Sequence, residues 1–440
     1  MKLHLDNLSK VYKQLKVEDG LYLPNFEKNV YKIRNTFEEL LSLGKIGNSL
    51  LEYKDIKQLL NSRGCLQPKN IVHFTIDSLG FNQILAKNHF LDPYRKENEI
   101  IELSSVFPTI TSTILTSLHS GLPPEMHGVL GHKILFPEIG SIVNTLIMNV
   151  RGSEIYFKDA LIKCGVNPKT LLWNYRSPSL FESNNFKQAN FLQFDIAGTG
   201  LSHLMMEPHS VISFRNLIDG LEKVKTLLKR PEKFYIHFYI GDIDDMCHAY
   251  GPFSDGYVES SKMINYILTN FIKSLDKTTA NETLLTITAD HGQNAIHDDK
   301  RIKFTLDDIN EYKKYLEVPM GKSGRVLHFY SQLDKIDKVK TLLQDKIGDS
   351  GLILTSDDDL SPLFATKKNY NRLTERLGNI IVVFKPHYSA EREYKGDQYK
   401  KEPLIKFKMR GTHGSLSEDE LIVPFFIDRI SNYQNYLENI

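Results

Sequence analysis

The sequence predicts an α/β fold built on a largely parallel sheet, and three observations carry that expectation. Short, apolar, β-rich runs recur at 71–80 (IVHFTIDSLG), 234–244 (FYIHFYIGDID), 283–292 (TLLTITADHG) and 421–427 (LIVPFFI). Stretches with helical spacing, such as Val211–Leu228 and Tyr257–Leu275, lie between them. Strands that alternate with helices suggest a parallel sheet covered by helices. Three of the runs end in acidic residues, and ligands of such sheets bind at the carboxyl ends of strands.

Bulk properties narrow the class. The chain has 440 residues, 41% hydrophobic and 25% charged, which suits a soluble globular protein with a substantial core. Its net charge is +1, from 55 basic and 54 acidic residues, so no nucleic-acid-binding surface is evident. No run of about 18 apolar residues marks a membrane span. Cys65, Cys164 and Cys247 are scattered without a CxxC pair. That pattern argues against a disulfide framework and for a reducing interior, so the expected location is cytoplasmic.

The chain divides into three parts. Residues 1–69 read as a helical N-terminal extension, with apolar residues at helical spacing over Phe26–Leu43. Residues 70–300 and 401–440 read as the catalytic core. Residues 301–400 read as a small inserted α+β cap, with strand-like RVLHFY (325–330), GLILTS (351–356) and NIIVVFKP (379–386). The lysine-rich stretch His387–Lys401 reads as an exposed loop.

The strand ends collect candidate chemistry. Asp77 follows HFTI, Asp244 follows FYIGDI with His248 four residues on, Asp290-His291 follows LLTITA, and His413 lies in glycine-flanked RGTHGS. Carboxylate and imidazole together suit borderline divalent ions such as zinc or manganese. A single aspartate at a strand end is ordinarily a cap or turn former; four such sites in one chain are harder to dismiss. A hydroxyl-rich segment, SSVFPTITSTILTSLHSGLPPEMHG (104–128), turns helical and stops at Gly121. Its Thr109, Thr111 and Ser112 read first as helix caps and, alternatively, as groups presented at a helix N-terminus, where the dipole favours a phosphate.

These motifs resemble one family. FPTIT (107–111) with SGLPPEMHG (120–128) is similar to the nucleophile segment of type I phosphodiesterases and nucleotide pyrophosphatases, members of the alkaline-phosphatase superfamily. YIGDIDDMCHAYGP (239–252), TADHG (288–292) and GTHGSLSEDELIVPFF (411–426) resemble their later motifs, in the family's order. The resemblance covers roughly 70–300 and 400–430. It implies an alkaline-phosphatase-like core and two divalent ions, zinc first and manganese as the alternative. Asp77, Thr111, Asp290 and His291 would surround one ion, and Asp244, His248 and His413 the other. Thr111 aligns with the nucleophile, ten residues before Gly121, with Thr109 as the second choice. Asp242 and Asp245 flank Asp244, but only Asp244 has the four-residue spacing to His248.

The implied reaction is hydrolysis of a phosphodiester or phosphoanhydride bond in a small molecule or nucleotide, through a phospho-threonine intermediate. Coordination to a divalent ion favours the alkoxide of a hydroxyl that is otherwise a weak nucleophile. His132 falls near the position where nucleotide pyrophosphatases carry a phosphate-holding Asn, which makes it a substrate-binding candidate and departs from the family pattern. Trp173-Asn174-Tyr175-Arg176 reads either as a stacking and phosphate contact or as a surface turn with one anchored aromatic. The alternatives are a phosphomonoesterase or phosphonoacetate-hydrolase-like C–P hydrolase, and a non-catalytic binding protein on the same fold.

Overall fold

The computed structural model describes residues 16–18, 20–41, 44–87, 91–97, 100–150, 158–175, 185–393 and 408–438. A seven-stranded sheet forms its centre. In chain order the strands are β1 (Asn70–Ile76), β2 (Ile101–Ser104), β3 (Phe186–Gln193), β4 (Val211–Phe214), β5 (Lys233–Ile240), β6 (Thr283–Thr288) and β7 (Ile422–Arg429). Across the sheet they run β2-β7-β6-β1-β5-β3-β4. β6, β1, β5, β3 and β4 are parallel, and β7 pairs antiparallel with both β6 and β2. Every residue of β1 and β6 is buried, as continuous apolar runs demand when both faces are covered.

Register decides where the functional residues fall. Ile76 pairs with Ile240 at the end of β5, and Thr75 with Thr288 at the end of β6. The three central strands therefore finish level, and the residues that follow them emerge along one edge. Three helices matter to that edge: α1 (Lys32–Leu40), α2 (Thr111–Ser120) and α3 (Asp242–Tyr250).

α1 gives the N-terminal stretch a structural task. Phe37 lies with its ring centroid 5.1 Å from that of His73 on β1, so α1 covers one face of the central sheet. The buried Arg34 pairs with Glu38 at 2.9 Å and donates from its guanidinium to the backbone carbonyl of His119 in the last turn of α2. Asn35 reaches the carbonyl of Gly121, the left-handed residue (φ 68°) that ends α2. A cation and an amide thus meet carbonyls that the helix itself cannot satisfy. Beyond α1, the same stretch holds a helix at Lys54–Ser62 and a short hairpin, Lys16–Glu18 with Leu21–Tyr22. Residues 1–15 lie outside the described residues.

Under α1 runs a row of buried imidazoles. His237 and His73 sit opposite each other on β5 and β1, His73 meets Thr286 of β6 at 2.7 Å, and His119 stands edge-on to His237 at 4.5 Å. Burial holds His73 and His119 well below the usual imidazole range and brings His237 down to about 3. The neighbouring imidazoles add to the effect on His73 and His119, and Arg34 adds to that on His119.

A second seven-stranded sheet, antiparallel throughout, lies beside the first. Its order is Gly351–Thr355, Ile380–Phe384, Val326–Ser331, Leu316–Ser323, Lys133–Phe136, Ser141–Asn144 and Asn149–Val150. The strands expected within 301–400 are present, and their sheet continues into three strands from 133–150. Lys322 pairs with Lys133 at the junction, and Tyr330 accepts the Leu135 N–H on its phenolic oxygen at 2.8 Å. Of the stretch His387–Lys401, residues 394–401 lie outside the described residues.

Two outcomes follow. Arg34→Ala removes the buried cation from Glu38 and a donor from the His119 carbonyl, so urea denaturation should read a loss of about 3–5 kcal/mol. The folded pKa of each buried imidazole lies below the unfolded value, so the unfolded chain binds more protons as pH falls. Stability should be complete above pH 6.5 and decline from there towards pH 3. In His119→Leu the decline should be shallower by up to about 1.4 kcal/mol per pH unit, measured as urea midpoints between pH 7 and 5.

Candidate active site

The level ends of β1, β5 and β6 bring the predicted carboxylates together. Asp77 directly follows β1, Asp244 sits in the first turn of α3 after β5, and Asp290 follows β6 by one residue. His291 comes next, and His413 enters from the loop after the short strand Gly411–Thr412. These groups form two clusters with ligand atoms within 4.8 Å of one another: Asp77, Asp290 and His291, and Asp244, His248 and His413. In the first, His291 Nε2 lies 3.3 Å from Asp290 and 3.6 Å from Asp77. In the second, Asp244 lies 3.2 Å from His248 Nε2 and 3.7 Å from His413 Nε2. The His291 and His413 rings stack at 3.6 Å, which joins the clusters into one site.

Thr111 opens α2, and its hydroxyl faces His291 Nε2 at 3.2 Å and Asp77 Oδ2 at 3.5 Å. Thr109 is committed elsewhere. Its hydroxyl donates to the carbonyl of Ser415 at 2.8 Å and accepts the Gly414 N–H at 2.9 Å. Of the two candidate threonines, only Thr111 presents its oxygen to the carboxylates. The side chains of Asp242 and Asp245 are exposed, whereas Asp244 turns inward.

The imidazoles share one arrangement. Each Nδ1 donates to a backbone carbonyl: His248 to Gly411 at 2.9 Å, His291 to Gly292 at 3.0 Å and His413 to Thr109 at 2.7 Å. Each Nε2 thereby faces the carboxylates and, in the neutral ring, carries the lone pair there, the orientation that metal-ligating histidines require. The charge balance agrees. Burial raises Asp77 well above the usual carboxylate range, with Asp290 and Asp244 adding to it, and raises Asp290 to about 6. Burial brings His291 down to about 4 and His413 to about 3, which keeps both neutral. Burial would also lower His248, but Asp244 outweighs it and lifts the group to about 9. Asp290 Oδ2 is buried and has no hydrogen-bond donor. Three crowded carboxylates, an orphaned carboxylate oxygen and three aimed imidazoles fit divalent cations in donor type and in charge.

Several supporting residues carry no sequence signal of their own. Tyr239 donates its phenolic proton to Asp77, and Ser78 and Gln293 both donate to Asp244. The His413 loop is braced by the second sheet. Arg325 donates its backbone N–H to the His413 carbonyl at 2.8 Å, and its buried guanidinium pairs with Glu420. Gly324 and Gly414 allow this contact, since a Cβ on Gly324 would sit 1.8 Å from the His413 carbonyl oxygen and one on Gly414 2.3 Å from that of Ser323.

Two expectations about substrate contacts meet different environments. His132 is half-buried, with Nε2 at 2.9 Å from Asn144 Oδ1 and its backbone N–H on Ser323 Oγ. Trp173 lies under the guanidinium groups of Arg372 and Arg376, at 4.6 and 4.9 Å, and against Gly128, which makes it an anchored aromatic. Arg176 lies outside the described residues.

The family profile described as "Type I phosphodiesterase / nucleotide pyrophosphatase" matches residues 71–416. The chain belongs to this family. No curated protein matches the sequence. Among solved structures, murine ectonucleotide pyrophosphatase/phosphodiesterase 5 is similar at 14% identity and a TM-score of 0.58, covering 84% of this chain and 94% of that one. The human counterpart gives 17%, 0.56 and the same coverage. Phosphonoacetate hydrolase from Sinorhizobium meliloti 1021, solved with phosphonoacetate, gives 13% and 0.56, covering 84% and 96%. At these identities the likeness is one of fold. The fold is therefore the alkaline-phosphatase-like α/β architecture with a mostly parallel sheet, and the family assignment makes the protein a phosphoryl hydrolase. No described helix is long and apolar enough to cross a membrane.

Proposed function

We propose that the protein is a two-metal phosphodiesterase or nucleotide pyrophosphatase with Thr111 as its nucleophile. The observation that carries this reading is the pair of Asp/His clusters with the Thr111 hydroxyl set against the first. Asp77, Asp290, His291 and Thr111 would hold one ion, and Asp244, His248 and His413 the other, with zinc as first choice and manganese as the alternative. Bound there, the ions favour an ionised hydroxyl and neutralise charge on the phosphoryl and leaving oxygens.

The chain's own residues supply position. α2 presents the Thr111 oxygen at its N-terminal end, where the helix dipole favours a phosphoryl group. Attack of that oxygen on phosphorus expels the leaving oxygen from the opposite side and leaves the phosphoryl group on Thr111. Water then breaks the Thr111–phosphorus bond with a second inversion, so configuration at phosphorus is retained overall. The backbone carbonyls behind the three imidazoles hold the Nε2 atoms in place throughout, without reorganisation. We assign His132 to the phosphoryl group from its place after the nucleophile helix. The cysteines are free, which supports a reducing compartment, and we place the protein in the cytoplasm.

Purified protein loaded with zinc or manganese should release p-nitrophenol from a nucleotide p-nitrophenyl diester. Thr111→Ala should lower kcat by a factor on the order of 10³ or more, and a chelator should abolish turnover. Absence of diester turnover, with phosphonate or monoester cleavage in its place, would move the reading to the C–P hydrolase or monoesterase side of the superfamily. Metal content by mass spectrometry should be two equivalents in the wild type and one in Asp244→Ala; two in both would remove Asp244 from the ligand set.

A further inference from the structure

Ser78 is the residue after Asp77, and it is fully buried with φ at 62°. That is the left-handed region, which a glycine adopts freely and a side chain does not. A strained backbone beside a candidate site invites the question of what the side chain contributes there. Its hydroxyl lies 2.7 Å from Asp244 Oδ1, 3.4 Å from His291 Nδ1 and 3.5 Å from Asp77 Oδ1. Its backbone N–H points to Asp290 Oδ1 at 3.3 Å. One small residue therefore touches members of both clusters.

The hydroxyl has a single proton, and the shortest contact is to Asp244. Gln293 donates its side-chain amide to the same Asp244 oxygen. Gln293 is itself held in the loop after β6 by Gln83, whose amide donates to the Gln293 carbonyl at 2.7 Å. Asp244 Oδ1 is thus gripped by donors from the end of β1 and from the loop after β6, while Oδ2 faces His248 at 3.2 Å. Asp244 sits on a helix with a half-exposed face, whereas Asp77 and Asp290 extend rigid buried strands. Of the three carboxylates, it is the one that most needs an external restraint.

We propose that Ser78 is a positioning residue whose hydroxyl locks the Asp244 carboxylate against the Asp77 cluster and so sets the spacing of the two clusters. This rests on reading the clusters as metal sites. It accounts for a serine in a conformation that glycine would occupy without strain. It also predicts that the hydroxyl governs affinity for the ion on Asp244, His248 and His413 more than for the ion on the other cluster.

The test compares wild type, Ser78→Gly and Ser78→Ala by competition titration of zinc against a chromophoric chelator, with apoprotein Tm and kcat measured alongside. Glycine removes both strain and hydroxyl, and alanine removes the hydroxyl alone. Both variants should bind one of two zinc equivalents about 10- to 100-fold more weakly, with kcat lowered to match. Their zinc affinities should agree with each other although the apo Tm of Ser78→Gly exceeds that of Ser78→Ala. A purely structural serine would instead let the affinities follow Tm. Wild-type zinc affinity in Ser78→Gly, with two equivalents bound, would overturn the inference and leave the metal reading intact. A wild type that takes up no zinc or manganese would overturn the metal reading and the inference together.

Discussion

Mutual repulsion among Asp77, Asp244 and Asp290 is the constraint around which the rest of the molecule is arranged. The register of β1, β5 and β6 delivers three carboxylates to one edge, two of them, Asp77 and Asp290, where water cannot screen them. Burial and crowding raise Asp77 and Asp290 above the usual range, so a net negative site at neutral pH needs compensating positive charge. Among the described residues no lysine or arginine pairs with these carboxylates, and His248, lifted by Asp244, stands beside them instead. The hydrogen bonds that the surrounding side chains donate to the carboxylates come from uncharged groups: the hydroxyls of Ser78 and Tyr239 and the amide of Gln293. Such donors shape the carboxylates without neutralising them, which preserves their appetite for cations.

The structure around this edge is a set of braces from distant parts of the chain. α1 caps the far end of the nucleophile helix through Arg34 and Asn35. The second sheet holds the His413 loop through Arg325 and Glu420. Thr109 ties the residues before the nucleophile to the same loop. Stretches that look unrelated to chemistry in sequence therefore hold two parts of the site in place, α2 and the loop carrying His413.

Much of the centre was legible because its physics is local. Strands buried on both faces are continuous apolar runs, and acidic residues at their ends are visible without coordinates. Asp77, Asp244, His248, Asp290, His291, His413 and Thr111 are indeed neighbours in space. What depends on pairing was not legible. Nothing in LIVPFFI reveals that β7 runs antiparallel to β6. KILF and SIVN at 133–144 are too short to announce that they join strands nearly two hundred residues away. Ser78 and Gln293 are common residue types, and only φ and distance single them out. The choice for Trp173 between a stacking contact and an anchored aromatic stayed open because its arginine neighbours, Arg372 and Arg376, belong to another part of the chain.

The shared second sheet also bears on how the chain is assembled as it leaves the ribosome. The strand Lys133–Phe136 has its partner on one side at Ser141–Asn144, but its other side waits for Leu316–Ser323. Throughout the synthesis of the intervening residues a three-stranded ribbon keeps one open edge. Unpaired edges recruit other strands, including those of neighbouring nascent chains. Lys133 lies on that open edge, and a charged residue in such a place discourages illicit pairing until Lys322 arrives opposite it. His413 and the Arg325 that braces it both lie beyond the strand Leu316–Ser323, so a chain truncated before residue 323 would carry all three site carboxylates and no completed site.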